Sequence, residues 1–209
     1  MRNIAAVLLC LLAAIHCGDA TAQAVPAVQT SSGFSAAWRD VIGANQSATV
    51  GWSFSVGAQT LQVEALGIYD DGANGMQNAH QVGIWTAAGT LLAQTTVPAA
   101  TAAALVGSYR YVTITPITLS AGKTYVVGTM FAPVVDRCGS ACGDVLLALG
   151  TQSYDSRIRF LQSRQTRAVI GAGTLTFPNV DAEIAEGIFG PNVLFSTSTP
   201  VRLQSFDVE

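Results

Sequence analysis

The stretch Gly51–Val56 reads GWSFSV and alternates large apolar side chains with small ones, mostly polar. A period of two is typical of a β-strand that turns one face to a protein core. The period continues through Leu61 and Val63, and then the apolar positions shift by one, to Leu66 and Ile68. This shift of phase predicts a β-bulge near Ala65.

Further short apolar segments follow along the chain, separated by turns rich in Gly, Pro, Asn and Ser. They predict strands at Val82–Ile84, Leu91–Val97, Tyr109–Thr115, Thr124–Phe131, Val145–Leu149, Ile158–Leu161, Leu175–Phe177 and Val193–Phe195. The Ala87–Gly89 turn predicts a hairpin, and Tyr109–Thr115 is expected to pair with Thr124–Phe131.

Short strands and turns of this kind favour an all-β fold, an antiparallel β-sandwich that is immunoglobulin-like or jelly-roll-like. After residues 1–24, a lead-in segment is expected at 25–49, loose at its start, followed by a single domain at 50–209.

The chain of 209 residues is 50% hydrophobic and 11% charged, with a net charge of −3. It has enough apolar residues for a packed core, and no basic surplus that would follow a nucleic-acid backbone. There are two histidines, and His16 lies in the leader described next. No nucleophile–base pair stands out, so we expect no catalytic residues and no enzyme activity.

The N-terminus has the pattern of a secretory signal peptide. Arg2 precedes the apolar run Ile4–Ile15, and Ala22-Gln23-Ala24 matches a cleavage site that makes Val25 the mature N-terminus. The run is shorter than the roughly 20 residues of a transmembrane helix. We therefore expect a secreted protein, periplasmic or extracellular, without a transmembrane anchor in the mature chain.

Two cysteines follow the leader, Cys138 and Cys142 in the sequence CGSAC. Gly139 permits a tight turn, and an oxidising compartment favours a disulfide between the two thiols. A structural zinc site is the alternative, but it needs four ligands and the mature chain offers only His80 in addition.

Three ordered segments resemble a family of secreted bacterial domains of unknown function, DUF4082. They are GWSF at 51–54 with ALGIYD at 65–70, HQVGIW at 80–85 with GTLLA at 89–93, and YRYV at 109–112 with Pro116 and LSAGKTYV at 119–126. The resemblance extends over residues 50–195. It implies a β-sandwich module in an exported protein, and it implies no activity.

The loop Asp70–Asn78 concentrates polar side chains between two predicted strands. Asp70, Asp71, Asn74 and Asn78 offer the oxygen ligands that calcium takes, so a structural calcium ion is one interpretation. The alternative is a plain turn, in which Asn and Gly are the residues that tolerate a positive φ. No other cofactor is expected.

A binding face is the second candidate site. If Val82 and Ile84 face the core, Trp85 lies on the opposite face of its sheet. In the same way, Val112 and Ile114 would leave Tyr109 and Tyr111 outside, with Arg110 between them. Exposed aromatic rings with a nearby arginine can bind a sugar ring. If both faces are covered, these rings belong to the core.

His80 follows the Asp70–Asn78 loop and opens a predicted strand, where it could titrate or bind a metal. The favoured interpretation is a half-buried histidine whose ring nitrogens bond to loop backbone.

Four arginines, Arg157, Arg159, Arg164 and Arg167, form a local basic run. Acidic residues such as Asp155 and Asp181 are near enough in sequence to pair with them, which predicts a solvated surface with salt bridges.

These observations lead to a first hypothesis, a secreted non-catalytic module that binds carbohydrate or the cell surface or matrix. The alternative is a structural or adhesive protein that contacts a surface protein and has no glycan ligand. Exposure of Trp85, Tyr109 or Tyr111 favours the first, whereas their burial beside an exposed apolar patch or edge strand favours the second.

Overall fold

A computed structural model describes residues 24–30, 46–131, 152–167, 169–171, 173–182 and 187–196. In this part of the chain the regular structure is β-strand, apart from one short 3₁₀ turn at Asp71–Ala73. The strands, numbered in chain order, are β1 Val25–Pro26, β2 Val28–Thr30, β3 Gln46–Val56, β4 Leu61–Tyr69, β5 His80–Thr86, β6 Leu91–Val97, β7 Ala104–Val106, β8 Tyr109–Leu119, β9 Thr124–Phe131, β10 Gln152–Tyr154, β11 Ile158–Gln165, β12 Val169–Ile170, β13 Val180–Asp181 and β14 Pro191–Phe195. The predicted all-β class is confirmed.

The described strands form two main antiparallel sheets. The first has the order β1-β14-β4-β8-β7, and the second has the order β13-β11-β3-β9-β5-β6, with β12 also paired to β3. A small third sheet pairs β2 with β10. The two main sheets approach each other along β6 and β8, which are not hydrogen-bonded to one another. This is the architecture of a β-sandwich.

Trp52 joins the two main sheets at the centre of the core. Its side chain on β3 is fully buried, and its indole N–H donates a hydrogen bond of 2.8 Å to the carbonyl of Pro191 on β14. Its ring lies 5.1 Å from Phe54 and 5.6 Å from Phe189, measured between ring centroids. The buried indole therefore has both an apolar surrounding and a partner for its donor.

Several sequence predictions are confirmed in detail. β6 and β9 have the predicted bounds, and β5 and β6 form the predicted hairpin. The pairing of β4 with β8 shifts register between Val63 and Ala65, where the sequence predicts a bulge. These features depend on local alternation and turn chemistry, which a sequence carries directly.

Three predictions are wrong, and they concern a strand pairing, a strand and a segment expected to be loose. β8 pairs with β4 and β7, while β9 pairs with β3 and β5, so Tyr109–Thr115 and Thr124–Phe131 lie in different sheets. Leu175–Phe177 forms no strand. The start of the lead-in segment is not loose, because Ala27 and Val28 are fully buried in the core.

A glycine on β5 makes room for a buried tryptophan on the outer face of the second sheet. A Cβ atom at Gly83 would lie 2.6 Å from Cη2 of Trp85 and 3.1 Å from Cδ2 of Leu175. The ring of Phe177 lies 6.2 Å from that of Trp85. The segment 173–179 therefore covers this face, and Trp85 fills the space above Gly83.

Some predictions fall on residues outside the described ranges. They are the signal peptide, the strand at Val145–Leu149, and the disulfide between Cys138 and Cys142. These three remain predictions. Among the described residues, no helix has the length and apolar character needed to cross a membrane.

We predict that Gly83→Ala lowers the free energy of unfolding by about 1–3 kcal/mol, because the new methyl group meets Trp85 beneath the covering segment. Urea denaturation followed by tryptophan fluorescence measures the loss. Gln81→Ala is the matched control, since the Gln81 side chain on the same strand is exposed, and it should change stability by less than about 0.5 kcal/mol. Equal effects of the two substitutions would contradict the packing described here.

Candidate functional site

The structure buries all four residues of the predicted sugar-binding face. The exposed fractions are 3% for Trp85, 1% for Tyr109, 5% for Arg110 and 4% for Tyr111. The expectation that these side chains form an open aromatic surface is therefore wrong. A sugar ring that stacks on an aromatic side chain needs a ring face in contact with solvent, and none of these rings offers one.

The prediction for Trp85 is right about its direction and wrong about its exposure. Val82 and Ile84 belong to the core between the sheets, and Trp85 lies on the other face. That face is covered by residues about 90 positions further along the chain, so local alternation carries no signal of the cover.

The tyrosines of β8 pack into the core beside the first sheet. The rings of Tyr69 and Tyr109 are 5.6 Å apart, and the Tyr109 hydroxyl donates to the carbonyl of Phe189 at 3.0 Å. Gly67 has no side chain, which leaves space for the ring of Tyr111. Burial raises the pKa of Tyr109 and of Tyr111 well above the usual value of a phenol, so both hydroxyls stay protonated at neutral pH.

Arg110 and Asp70, assigned by the sequence to two different sites, form one buried ion pair. Nε of Arg110 donates to Oδ2 of Asp70 at 2.6 Å, and both side chains are almost completely buried. The backbone N–H of Gly75 donates to the same carboxylate at 3.0 Å. Nη1 of Arg110 donates to the carbonyl of Ala103 at 3.0 Å.

This arrangement fastens two loops to β8. Arg110 also donates to the carbonyl oxygens of Ala73 and Thr101, each at 3.4 Å. Met76 and Ala100 exchange backbone hydrogen bonds of 3.1 and 2.7 Å between the same loops. The loops at 70–78 and 98–103 are therefore held by one guanidinium group and one short bridge.

The ion pair changes the interpretation of the loop as a calcium site. Asp70 directs its carboxylate to Arg110 and to the Gly75 amide, Asn74 is exposed, and Asn78 is half-buried. The side chain of Asp71 lies outside the described set. Nowhere in the described ranges do three side chains of His, Cys, Asp or Glu gather as metal ligands. Asp70, the first of the four predicted ligands, has a cationic partner that would oppose a calcium ion.

Two other polar residues, His80 and Asn192, are buried within the fold. His80 is buried at the start of β5, opposite Val97, rather than half-buried as predicted. Asn192 on β14 is fully buried and was not identified from the sequence, although it interrupts an otherwise apolar run. Its side chain accepts from the N–H of Val28 at 3.2 Å and donates to the carbonyl of Val28 at 2.8 Å. This contact joins the N-terminal segment to the first sheet.

Two of the four arginines in the basic run form the predicted salt bridges. Arg157 pairs with Asp155 at 2.7 Å, and Arg164 pairs with Asp181. Burial alone would raise the pKa of Asp155, but the hydrogen bonds and the charge of Arg157 outweigh it and bring this pKa below its usual value. The carboxylate of Asp155 is thus held ionised by a structural partner.

Comparison with known proteins gives one finding. A family model described as a domain of unknown function, DUF4082, matches residues 36–143, just over half of the chain. The described part of the match contains β3 to β9, which come from both main sheets. The match ends before residue 195, the end of the resemblance that the sequence suggests. Comparisons with curated proteins and with solved structures found no match.

We predict that Arg110→Met lowers the free energy of unfolding by about 3–5 kcal/mol, because it leaves the Asp70 carboxylate buried without its cation. The double substitution Asp70→Asn with Arg110→Met should recover part of this loss, since the buried charge is then removed. Urea denaturation of the original chain, the two single variants and the double variant gives the coupling free energy between Asp70 and Arg110. Arg164→Met, whose partner Asp181 is exposed, should cost less than about 1 kcal/mol. If Arg110→Met lowers the free energy of unfolding no more than Arg164→Met does, the structural role of the Arg110–Asp70 pair is refuted.

The same pair predicts that calcium does not stabilise the fold through Asp70. The melting temperature of the chain should be equal in calcium and in chelator. A calcium ligand would behave differently, because saturation at 100 times Kd adds about 2.7 kcal/mol to the free energy of unfolding. Differential scanning calorimetry decides between the two. If calcium raises the melting temperature and Asp70→Ala abolishes that increase, the calcium site is supported after all.

Proposed function

Since this chain belongs to the DUF4082 family, whose description assigns no function, we propose a function from the chain's own surface. It is a secreted, non-catalytic β-sandwich module with a structural or adhesive role, and it contacts protein rather than glycan. The observation that carries this proposal is that every predicted sugar-binding side chain is buried, whereas the edge strand β6 is long and uncharged.

The first support is the absence of charge over a long stretch of sequence. Between Gly72 and Gly122 the only Asp, Glu, Lys or Arg residue is Arg110, which is buried against Asp70. Soluble globular domains ordinarily have about 25% charged residues. The exposed residues of β6 and β8 are therefore neutral, and they are Leu91, Gln94, Thr96, Thr113, Thr115, Pro116 and Thr118. We call these seven residues the neutral strip.

The second support is the length of the β6 edge. The two main sheets have four described edge strands, β1 and β7 in the first sheet and β13 and β6 in the second. Three of them, β1, β7 and β13, have only two or three residues. Short edges discourage the addition of another strand. β6 has seven residues, pairs with β5 alone among the described strands, and carries neither a charge nor a proline. Apart from the register shift opposite Ile84 and Trp85, it lacks the charges and prolines that usually protect an edge.

We propose a second copy of this chain as the partner of the β6 edge. Two β6 strands that meet antiparallel are related by a two-fold axis through the middle of the strand, near Gln94. The contact places no like charges opposite each other, because the neutral strip has none. The chain's net charge of −3 is carried elsewhere.

Secretion rests on the pattern of the leader. Arg2, the apolar run and the Ala22-Gln23-Ala24 motif support export, and β1 begins at Val25, the residue that cleavage would make the N-terminus. A non-catalytic role is supported by the bonding of the polar groups described above. Asp70, Arg110 and Tyr109 all bind structural partners.

We predict that the mature chain self-associates with a dissociation constant in about the micromolar range, and that lysines on the edge weaken it. In Gln94→Lys with Thr96→Lys, positive charges from the two copies meet across the edge. The association should weaken at least about ten-fold, since like charges on paired strands are destabilising. Sedimentation equilibrium over a range of concentrations measures the dissociation constants of the original chain and of the double variant.

Gln59→Lys is the matched control, because Gln59 is exposed in the loop between β3 and β4, outside the neutral strip. It should self-associate as the original chain does. A chain that stays monomeric at all concentrations refutes the edge contact. Retention on cellulose or chitin beads by a monomeric chain would favour the carbohydrate-binding hypothesis instead.

A further inference from the structure

A small cleft lined by hydroxyl groups lies on the outer face of β3, away from the β6 edge. Its volume is about 130 Å³, and it is bounded by β3, by the end of β9 and by two segments of the second half of the chain. The lining residues are Ser47, Ala48, Thr49, Met130, Thr166, Arg167, Gly173, Thr174 and Thr176. Five of these carry a hydroxyl group, and the one ionisable side chain is the cation Arg167.

Ser47 supplies the first indication that this cleft receives a ligand. The residue is fully buried, and its Oγ has no hydrogen-bond partner among the described residues. A buried hydroxyl without a partner costs free energy, because it has lost its hydrogen bonds to water and gained none in the protein. It is unusual in a folded protein and calls for an explanation.

The hydrogen bonds of two threonines show which atoms remain available. The Thr49 hydroxyl oxygen accepts from the N–H of Thr176 at 3.0 Å, and the Thr166 hydroxyl oxygen accepts from the N–H of Thr49 at 3.0 Å. A hydroxyl has one hydrogen to donate as well as two lone pairs. Both threonines use a lone pair on a backbone amide, and these bonds leave the hydroxyl hydrogen of each to be donated elsewhere.

Ser47, Thr49 and Thr166 therefore bring O–H donors to one cleft, and Arg167 adds a guanidinium group. Arg167 is exposed and forms no ion pair with another described residue. Arg159, by comparison, lies on the exposed side of β11 and does not line this cleft. Hydroxyl donors beside an exposed cation are complementary to a group that only accepts hydrogen bonds and is negatively charged.

We propose that this cleft binds a small oxyanion. The ligand is a sulfate, phosphate or carboxylate group, free or borne by a larger molecule whose remainder stays outside. The cleft has room for several waters, so it admits such a group. Arg167 supplies the charge at the rim, and the three hydroxyls hold the oxygens inside. The site does not depend on the proposed adhesive function.

The test is a titration of the mature chain with sodium phosphate, sodium sulfate and sodium acetate, each followed by amide chemical shifts in NMR. Sodium chloride at matched ionic strength corrects for screening. We expect saturable shifts at residues 47–49, 166–167 and 173–176 with at least one of the three anions. The preferred anion separates a tetrahedral oxyanion from a planar carboxylate.

Ser47→Ala and Arg167→Met should each weaken binding at least about ten-fold, whereas Arg159→Met, with the same change of charge, should leave it unchanged. Ser47→Ala has a second readout. If the hydroxyl serves a ligand, the substitution leaves the anion-free chain at least as stable, because an unpaired buried hydroxyl is removed. An absence of saturable shifts, or equal affinity of the Arg167 variant and the original chain, overturns the proposal.

Discussion

The contact of Trp52 with β14 is the interaction on which the sandwich depends. The indole is fully buried on β3 of one sheet, and its N–H bonds to the Pro191 carbonyl at 2.8 Å on the other sheet. Around it, Phe54 and Phe189 place their rings at 5.1 and 5.6 Å. Apolar burial alone would let two sheets slide, but a buried donor with a single acceptor fixes how they align.

A second constraint acts at the end of the first sheet. Arg110 holds Asp70 and the carbonyl oxygens of both adjoining loops, so a loop that looks like a cation site is filled by a cation from the chain itself. A buried ion pair is a weak source of stability, because desolvation offsets much of its attraction. Its effect is geometric. It sets one conformation for two loops that are rich in small residues.

The functional conclusion follows from which faces are covered. Trp85 is directed away from the core, as predicted, yet the segment with Leu175 and Phe177 lies over it. The aromatic side chains thus belong to the fold, and the neutral strip on β6 and β8 is the surface that we propose for a partner. The hydroxyl-lined cleft beneath Arg167 is created by the same covering segment, which brings Thr176 to Thr49.

Local sequence determined the longer strands, the bulge near Ala65, the β5–β6 hairpin and the direction of Trp85, because alternation and turn chemistry act over a few residues. It also indicated the family. Only the tertiary structure decided exposure, since the cover over Trp85 comes from about 90 residues away, and the partner of Asp70 from 40 residues away. Pairing between β8 and β4 rather than β9 was decided in the same way. The alternation of side chains along a strand shows which of them share a face of the sheet. It contains no information about what lies opposite that face.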